Sequence, residues 1–216
     1  MDRSTAQRAA RIDVRSQILD CELCLLHENC ETPTPFDGPS GSIVVIGEAP
    51  TPVDQRAGKP FAESFLREMT ESVGLPPIFW MNVVSCVAGR RPFEWEVNAC
   101  SANRDLQLSL ADSRTVVLAG NVPLQVYRPD LRIGRAHGRP IVMGETVLFP
   151  IYNPAAAERN PAWKQDIEAD LSLLKLMLDS GDWQTAFNEE CIWCNNHVDR
   201  LDQNCVPYCS RHWATR

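Results

Sequence analysis

The chain has 216 residues, 44% of them hydrophobic, and a net charge of −7 at pH 7. That length suits one domain of ordinary size with a small appendage. No run approaches the roughly 18–20 apolar residues of a membrane helix, and the polar N-terminus, MDRSTAQRAARIDVRSQ, lacks the apolar stretch of a secretory signal, so a soluble, cytoplasmic monomer is expected. The negative charge argues against broad nucleic-acid binding, because phosphate contacts need Lys and Arg. Basic residues do cluster: Arg90 adjoins Arg91, and Arg132, Arg135, His137 and Arg139 fall within eight positions. On charge alone these read as solvated surface rather than a patch.

Residues 4–20 predict a helix that ends at the first cysteine pair. Residues 30–41, with Pro33, Pro35, Gly38, Pro39 and Gly41, predict a loop. A short apolar run follows at 43–46, and similar runs recur at 79–84, 115–119 and 146–151. Each is brief and rich in β-branched or aromatic residues, as expected of strands buried on both faces of a parallel sheet. Between them lie helical patterns. Phe61, Phe65, Leu66, Met69 and Val73 give one apolar face; 94–110 gives a longer one; 121–127 reads as a short helix. Residues 161–178 read strongly helical, with Ile167, Leu171, Leu174 and Leu178 on one side. Alternating strands and helices imply an α/β fold, a three-layer α/β/α sandwich. In such sheets the ligand crevice lies at the carboxyl ends of the strands. The informative loops are therefore those after Ile46, Val84, Ala119 and Tyr152. Gly181 ends the last long helix, so residues 1–180 read as one domain and 181–216 as a small polar module.

Nine cysteines are many for an intracellular chain, and the odd count argues against a purely disulfide framework. Cys21-x-x-Cys24 is a two-thiolate hook. Cys86 follows the second predicted strand, and Cys100 comes after thirteen intervening residues. Four thiolates are the usual set for a four-iron cluster. A zinc ion can use the same four, and buried structural thiols are the plain alternative. Cys30 reads as a spare. In the C-terminal module, Cys191-x-x-Cys194 and Cys209-x-x-His212 are separated by fourteen residues, a spacing typical of a zinc site, with Cys205 and His197 as rival ligands. So short a segment has little core and needs a metal staple. Trp193, Trp213 and Arg211 would support nucleic-acid or protein contacts there.

Several motifs agree in order and strand context. They are VVIGEAP at 44–50, GKPF at 58–61, NVVSC at 82–86, VVLAGN at 116–121, IGRAHGRP at 133–140 and FPIYNPAAAERNP at 149–161. Over residues 15–178 this pattern resembles the iron–sulfur uracil-DNA glycosylases of family four. The resemblance implies a four-stranded parallel sheet between helices, DNA as partner, and a structural [4Fe–4S] cluster on Cys21, Cys24, Cys86 and Cys100. It implies that the loop 47–51, with Gly47, Glu48, Ala49 and Thr51, is the first active-site motif. By the same resemblance Phe61 stacks on flipped uracil, the Asn82 amide reads its edge, and residues 153–155, headed by Asn153, form the second motif. The residue types suit the task. An extruded base needs a flat platform and a group that both donates and accepts. Without the motifs, Phe61 would read as core packing, Asn82 as a strand-end turn residue and Glu48 as a helix-capping carboxylate.

The chain departs from the family pattern in three places. Thr51 stands where glycine is usual, which is expected to narrow the pocket mouth or change its selectivity. Glu63 and Phe65 occupy a stretch of usually small residues. Asn153 replaces a histidine, and a neutral amide donates more weakly to a developing negative oxygen than an imidazole does. Two functions follow as expectations. One is a DNA glycosylase that removes uracil or a related deaminated base, with reduced or altered activity. The other is a catalytically weak or inactive iron–sulfur DNA-binding module of the same fold.

Overall fold

A computed structural model describes residues 3–181, together with Arg200–Leu201 and Pro207–Tyr208, which pair as a short antiparallel ribbon. The expected zinc ligands Cys191, Cys194, Cys209 and His212, their rivals Cys205 and His197, and the neighbouring Trp193, Arg211 and Trp213 all lie outside the described residues. The described residues fall into two compact units, one within 1–68 and 76–113, the other within 69–75 and 114–216.

The first unit holds α1 (Arg3–Leu19), β1 (Ile43–Gly47), α2 (Pro52–Ala57), most of the first turn of α3 (Phe65–Val73), β2 (Ile78–Asn82), α4 (Glu94–Ala99) and α5 (Ser101–Ala111). Strands β1 and β2 pair in parallel, from Ile43 opposite Ile78 to Gly47 opposite Asn82. Every residue of both strands is buried, which is why their sequences are continuous rather than alternating. Phe36 stacks on Phe79 with ring centroids 5.0 Å apart, and the Arg11 guanidinium lies 4.7 Å above the Phe36 ring. Helix α1 packs against α5. The helical pattern at 94–110 proves to be two helices. The chain breaks at Cys100 (φ −82°, ψ 1°), in the sparsely populated bridge region.

The second unit holds β3 (Thr115–Ala119), α6 (Asn121–Tyr127), α7 (Ile133–Ala136), β4 (Ile141–Met143), β5 (Thr146–Ile151), α8 (Pro154–Ala157) and α9 (Pro161–Ser180). Strand β5 pairs in parallel with β3 and antiparallel with β4. Ile167, Leu171, Leu174 and Met177 of α9 are buried, and Phe149 and Ile151 of β5 are fully buried.

The sheet of this α/β fold is therefore five-stranded and mostly parallel, not four-stranded. The four expected parallel strands are all present, and β4 is the addition. Three residues are too few to register as an apolar run. What makes the strand is the two-residue turn at Gly144-Glu145, with Gly144 at φ +60°, the conformation a tight hairpin turn demands. Among the described residues no helix is long and apolar enough to cross a membrane.

Candidate active site

The parallel register sets Gly47, the last residue of β1, opposite Asn82, the last residue of β2. A Cβ added to Gly47 would stand 2.3 Å from Asn82 Oδ1 and 2.6 Å from Phe61 Cζ. Three residues singled out from the sequence thus meet at one point, and the absence of a side chain at 47 is what lets them. Asn82 is only 4% exposed. Its Nδ2 is buried and has no hydrogen-bond partner. An orphaned buried donor costs about 1–3 kcal/mol, a penalty that a ligand carbonyl would remove.

Phe61 is neither core nor part of a helix. It is half-buried, and α3 starts four residues later. Its backbone adopts φ +56°, one of two non-glycine residues in the left-handed region among those described. Such strain costs on the order of 1–3 kcal/mol and persists only where surroundings enforce it. Here the enforcement is explicit. Arg67 donates from Nε to the Phe61 carbonyl at 2.9 Å and from Nη2 to the Pro60 carbonyl at 2.6 Å. Arg67 is in turn paired with Asp37 at 2.8 Å and lies 4.6 Å above the Trp80 ring. On the other side, buried Asp54 accepts from Ala62 N through Oδ1 at 2.7 Å. The Phe61 ring sits 5.1 Å from that of Trp80, tilted by 49°.

Asp54 also completes a capping box with Thr51. The Thr51 hydroxyl accepts from Asp54 N at 3.1 Å, and Asp54 Oδ2 accepts from Thr51 N at 2.8 Å. This satisfies orphan donors at the start of α2. Thr51 is exposed, and its side chain is engaged at the helix terminus. Ala49 is half-buried beside it, Glu63 is exposed and Phe65 half-buried.

Glu48 is half-buried. Burial pushes its carboxyl above the ordinary value, and the Arg91 guanidinium pulls it part of the way back. Arg91, taken from sequence as a solvated charge, is thus electrostatically coupled to the first-motif carboxylate.

Asn153 belongs to the second unit, where it caps α8. Its Oδ1 accepts from Ala155 N at 2.9 Å, which leaves Nδ2 as the free-facing donor of that amide. Gly120, at φ +111°, backs it closely; a Cβ there would stand 3.0 Å from Asn153 Cβ. The residue before Asn153 is held in an aromatic ladder. Tyr152 stacks on Trp163 at 4.9 Å and 6°, and its ring lies 4.3 Å from that of His137, tilted by 34°. The His137 ring nitrogen Nδ1 lies 2.9 Å from Asp170 Oδ2. Much of the basic cluster at 132–139 is accordingly tied into local structure; Arg132, for instance, donates to the Pro129 and Leu131 carbonyls.

Cys21, Cys24, Cys86 and Cys100 line one cavity in the first unit. Burial raises the Cys24, Cys86 and Cys100 thiols above their ordinary values, and neighbouring negative charge, that of Cys30 foremost for Cys86, raises them further. The described residues contain no group of three or more His, Cys, Asp or Glu side chains close enough for a single ion. Four thiols lining one cavity are the donor set a multi-iron cluster uses, and a zinc ion can use the same four. Cys30 donates to Gln55 Oε1 at 3.2 Å.

Sequence reasoning missed Asp54, Arg67 and Asn103. The Thr-x-x-Asp spacing at 51–54 carried a readable capping signal. Arg67 and Asn103 carried none, since their partners lie up to 30 and 86 positions away.

The model of the uracil DNA glycosylase superfamily matches residues 35–172. Similar proteins include three type-4 uracil-DNA glycosylases. That of Archaeoglobus fulgidus is 30% identical over 175 residues, 73% of this chain and 88% of the relative. That of Sulfurisphaera tokodaii is 28% identical over 180 residues, 75% of this chain and 82% of the relative. That of Pyrobaculum aerophilum is 27% identical over 173 residues, 72% and 88% respectively.

Proposed function

Because the chain belongs to the uracil DNA glycosylase superfamily, we propose that it is a DNA glycosylase that hydrolyses the N-glycosidic bond of uracil or a related deaminated base in DNA. The observation that carries this reading is the slot at Gly47, Phe61 and Asn82, with its orphaned amide donor. Phe61 offers a ring face for stacking. Asn82 Nδ2 supplies a donor for a base carbonyl, and its Oδ1 an acceptor for an imide N–H.

In the reaction the bond from the sugar C1′ to the base nitrogen breaks, and its electron pair leaves with the base. Water adds its oxygen to C1′ and gives up a proton. The base takes up a proton in solution, so atoms balance without a cofactor. Glu48, ionised, stabilises the cationic sugar or orients the water. The resemblance of residues 153–155 to the family's second motif is what assigns Asn153 the donor role toward the negative charge that grows on the base.

Cys21, Cys24, Cys86 and Cys100 are the residues we assign to a [4Fe–4S] cluster. Bound there, the cluster supplies a structural cross-link rather than redox chemistry. The support is the shared cavity and the type-4 relatives. Cys191, Cys194, Cys209 and His212 are assigned to zinc on spacing alone, which the zinc content of the purified chain tests.

The deciding experiment is release of base from single- and double-stranded DNA carrying uracil or other deaminated bases, run beside Asn153→His. Turnover by the native chain, increased in the variant, is expected. Saturable lesion binding without turnover in either protein would instead make the chain a binding module.

A further inference from the structure

Asn103 lies three residues after Cys100, so α5 turns both toward the same side. Its carboxamide is 2% exposed and makes two directed contacts. Asn103 Nδ2 donates to Cys21 Sγ at 3.1 Å, and Gln17 Nε2 donates to Asn103 Oδ1 at 3.2 Å. The second contact fixes the sense of the first, because an amide whose oxygen is already accepting must present its N–H₂ to the sulfur. Gln107, 1% exposed, donates to the Asn103 carbonyl at 3.1 Å and steadies the same turn of helix. Two buried carboxamides, Asn103 and Gln107, and the exposed Gln17 thus meet at this turn of α5, with Asn103 reaching the sulfur.

A neutral thiol is a poor acceptor and would not reward such an arrangement. A metal-bound thiolate would, since a donor to an ionised acceptor is shorter and about twice as strong as a neutral pair. Hydrogen bonds to ligating sulfur withdraw electron density from the metal–sulfur bond and favour the reduced state of a cluster.

We propose that Asn103, oriented by Gln17, is the positioning residue whose N–H tunes the Cys21 thiolate and so the reduction potential of the cluster. This rests on the cluster assignment above but goes beyond it. That assignment says which sulfurs bind; this one says that a buried side-chain amide of α5 sets the electron density on Cys21.

The test uses full-length protein purified without oxygen, as wild type, Asn103→Leu and Gln17→Leu. Iron per chain is measured first, then the Fe–S(Cys) stretching band by resonance Raman and the midpoint potential by mediated titration with dithionite. Asn103→Leu is expected to raise the stretching frequency and lower the potential. Gln17→Leu, which frees the amide to turn, is expected to shift both the same way by less. Should Asn103→Leu lose its iron, Gln17→Leu decides. Should the potential lie below the reach of dithionite, the Raman band decides. Iron-loaded variants with an unchanged Raman band and, where accessible, an unchanged potential overturn the Asn103 assignment alone. Iron-free wild type overturns the cluster on which it depends, whatever the outcome of the glycosylase assay.

Discussion

Gly47 shows how little room the proposed slot allows. Its φ is ordinary, so backbone freedom is not why glycine is needed; the 2.3 Å and 2.6 Å approaches to Asn82 and Phe61 are. Gly47→Ala must push one of these groups away. Misplacement of about 1 Å at a reacting site can lower rate about hundredfold, so kcat/KM for uracil-containing DNA should fall by about that factor. The melting temperature should drop by far less than activity does, because overpacking costs only about 1–3 kcal/mol. Equal activity in the variant would mean that the slot does not receive the base. Glu48 supports a pH prediction at the same scale. Only its ionised form can stabilise a cationic sugar, and burial raises its pKa. The acid limb of the rate profile should therefore lie above the ordinary carboxylate value of about 4.3. Activity is full at higher pH and is lost as pH falls through the raised pKa. Arg91→Gln removes the cation that favours ionisation, so it should move the limb further up. Glu48→Gln should abolish the limb and lower kcat by about 10²-fold or more. A limb that stays in place in both variants would remove Glu48 from the chemistry.

The strands were legible because 43–46, 115–119 and 146–151 are short, mostly apolar runs with many β-branched residues, and burial on both faces leaves little alternation to read. The elements that escaped did so for local reasons. Strand β4 is a hairpin product of Gly144. The break at Cys100 interrupts a sequence that would otherwise propagate as one helix. The turn at Phe61 mimics the apolar spacing of α3, yet lies outside it at positive φ. What holds that turn is a long-range clamp: Arg67 on the first turn of α3, tied to Asp37, reaches back to the Pro60 and Phe61 carbonyls. Arg67→Ala should let Phe61 relax to a common backbone conformation and tilt its ring away from the slot. Base–aromatic stacking is worth about 1–3 kcal/mol, so KM should rise about tenfold with a smaller change in kcat. Partial recovery on adding guanidinium would place the effect in the missing donor. A kcat loss with unchanged KM would show that the clamp serves something other than binding.

At the scale of the whole chain, an excess of seven negative charges and a DNA substrate look incompatible until the site is considered by its parts. Sequence motifs pointed to the residues proposed for the slot and to the four cysteines, since strand ends and CxxC spacing are local signals. They did not reveal what connects the cysteines to the rest of the first unit, because that depends on contacts between distant segments. Cys21 follows the end of α1, and Cys100 caps the start of α5, the helix on which α1 packs. A cluster bridging them would staple α1 to α5 at the one end where Gln17 and Asn103 meet. Because metal-binding free energy becomes folding free energy where ligands come from separate segments, removing iron should loosen this end selectively. After iron is stripped by ferricyanide and a chelator, amide exchange should quicken in α1 and in the turn at Leu25–Asn29. It should change little in β3 and β5, which pair with each other in the second unit. Uniform acceleration would mean that the metal supports global stability without a local staple. No acceleration anywhere, in protein shown to have lost its iron, would mean that the four thiols pack well enough alone and that the cluster has no structural part to play.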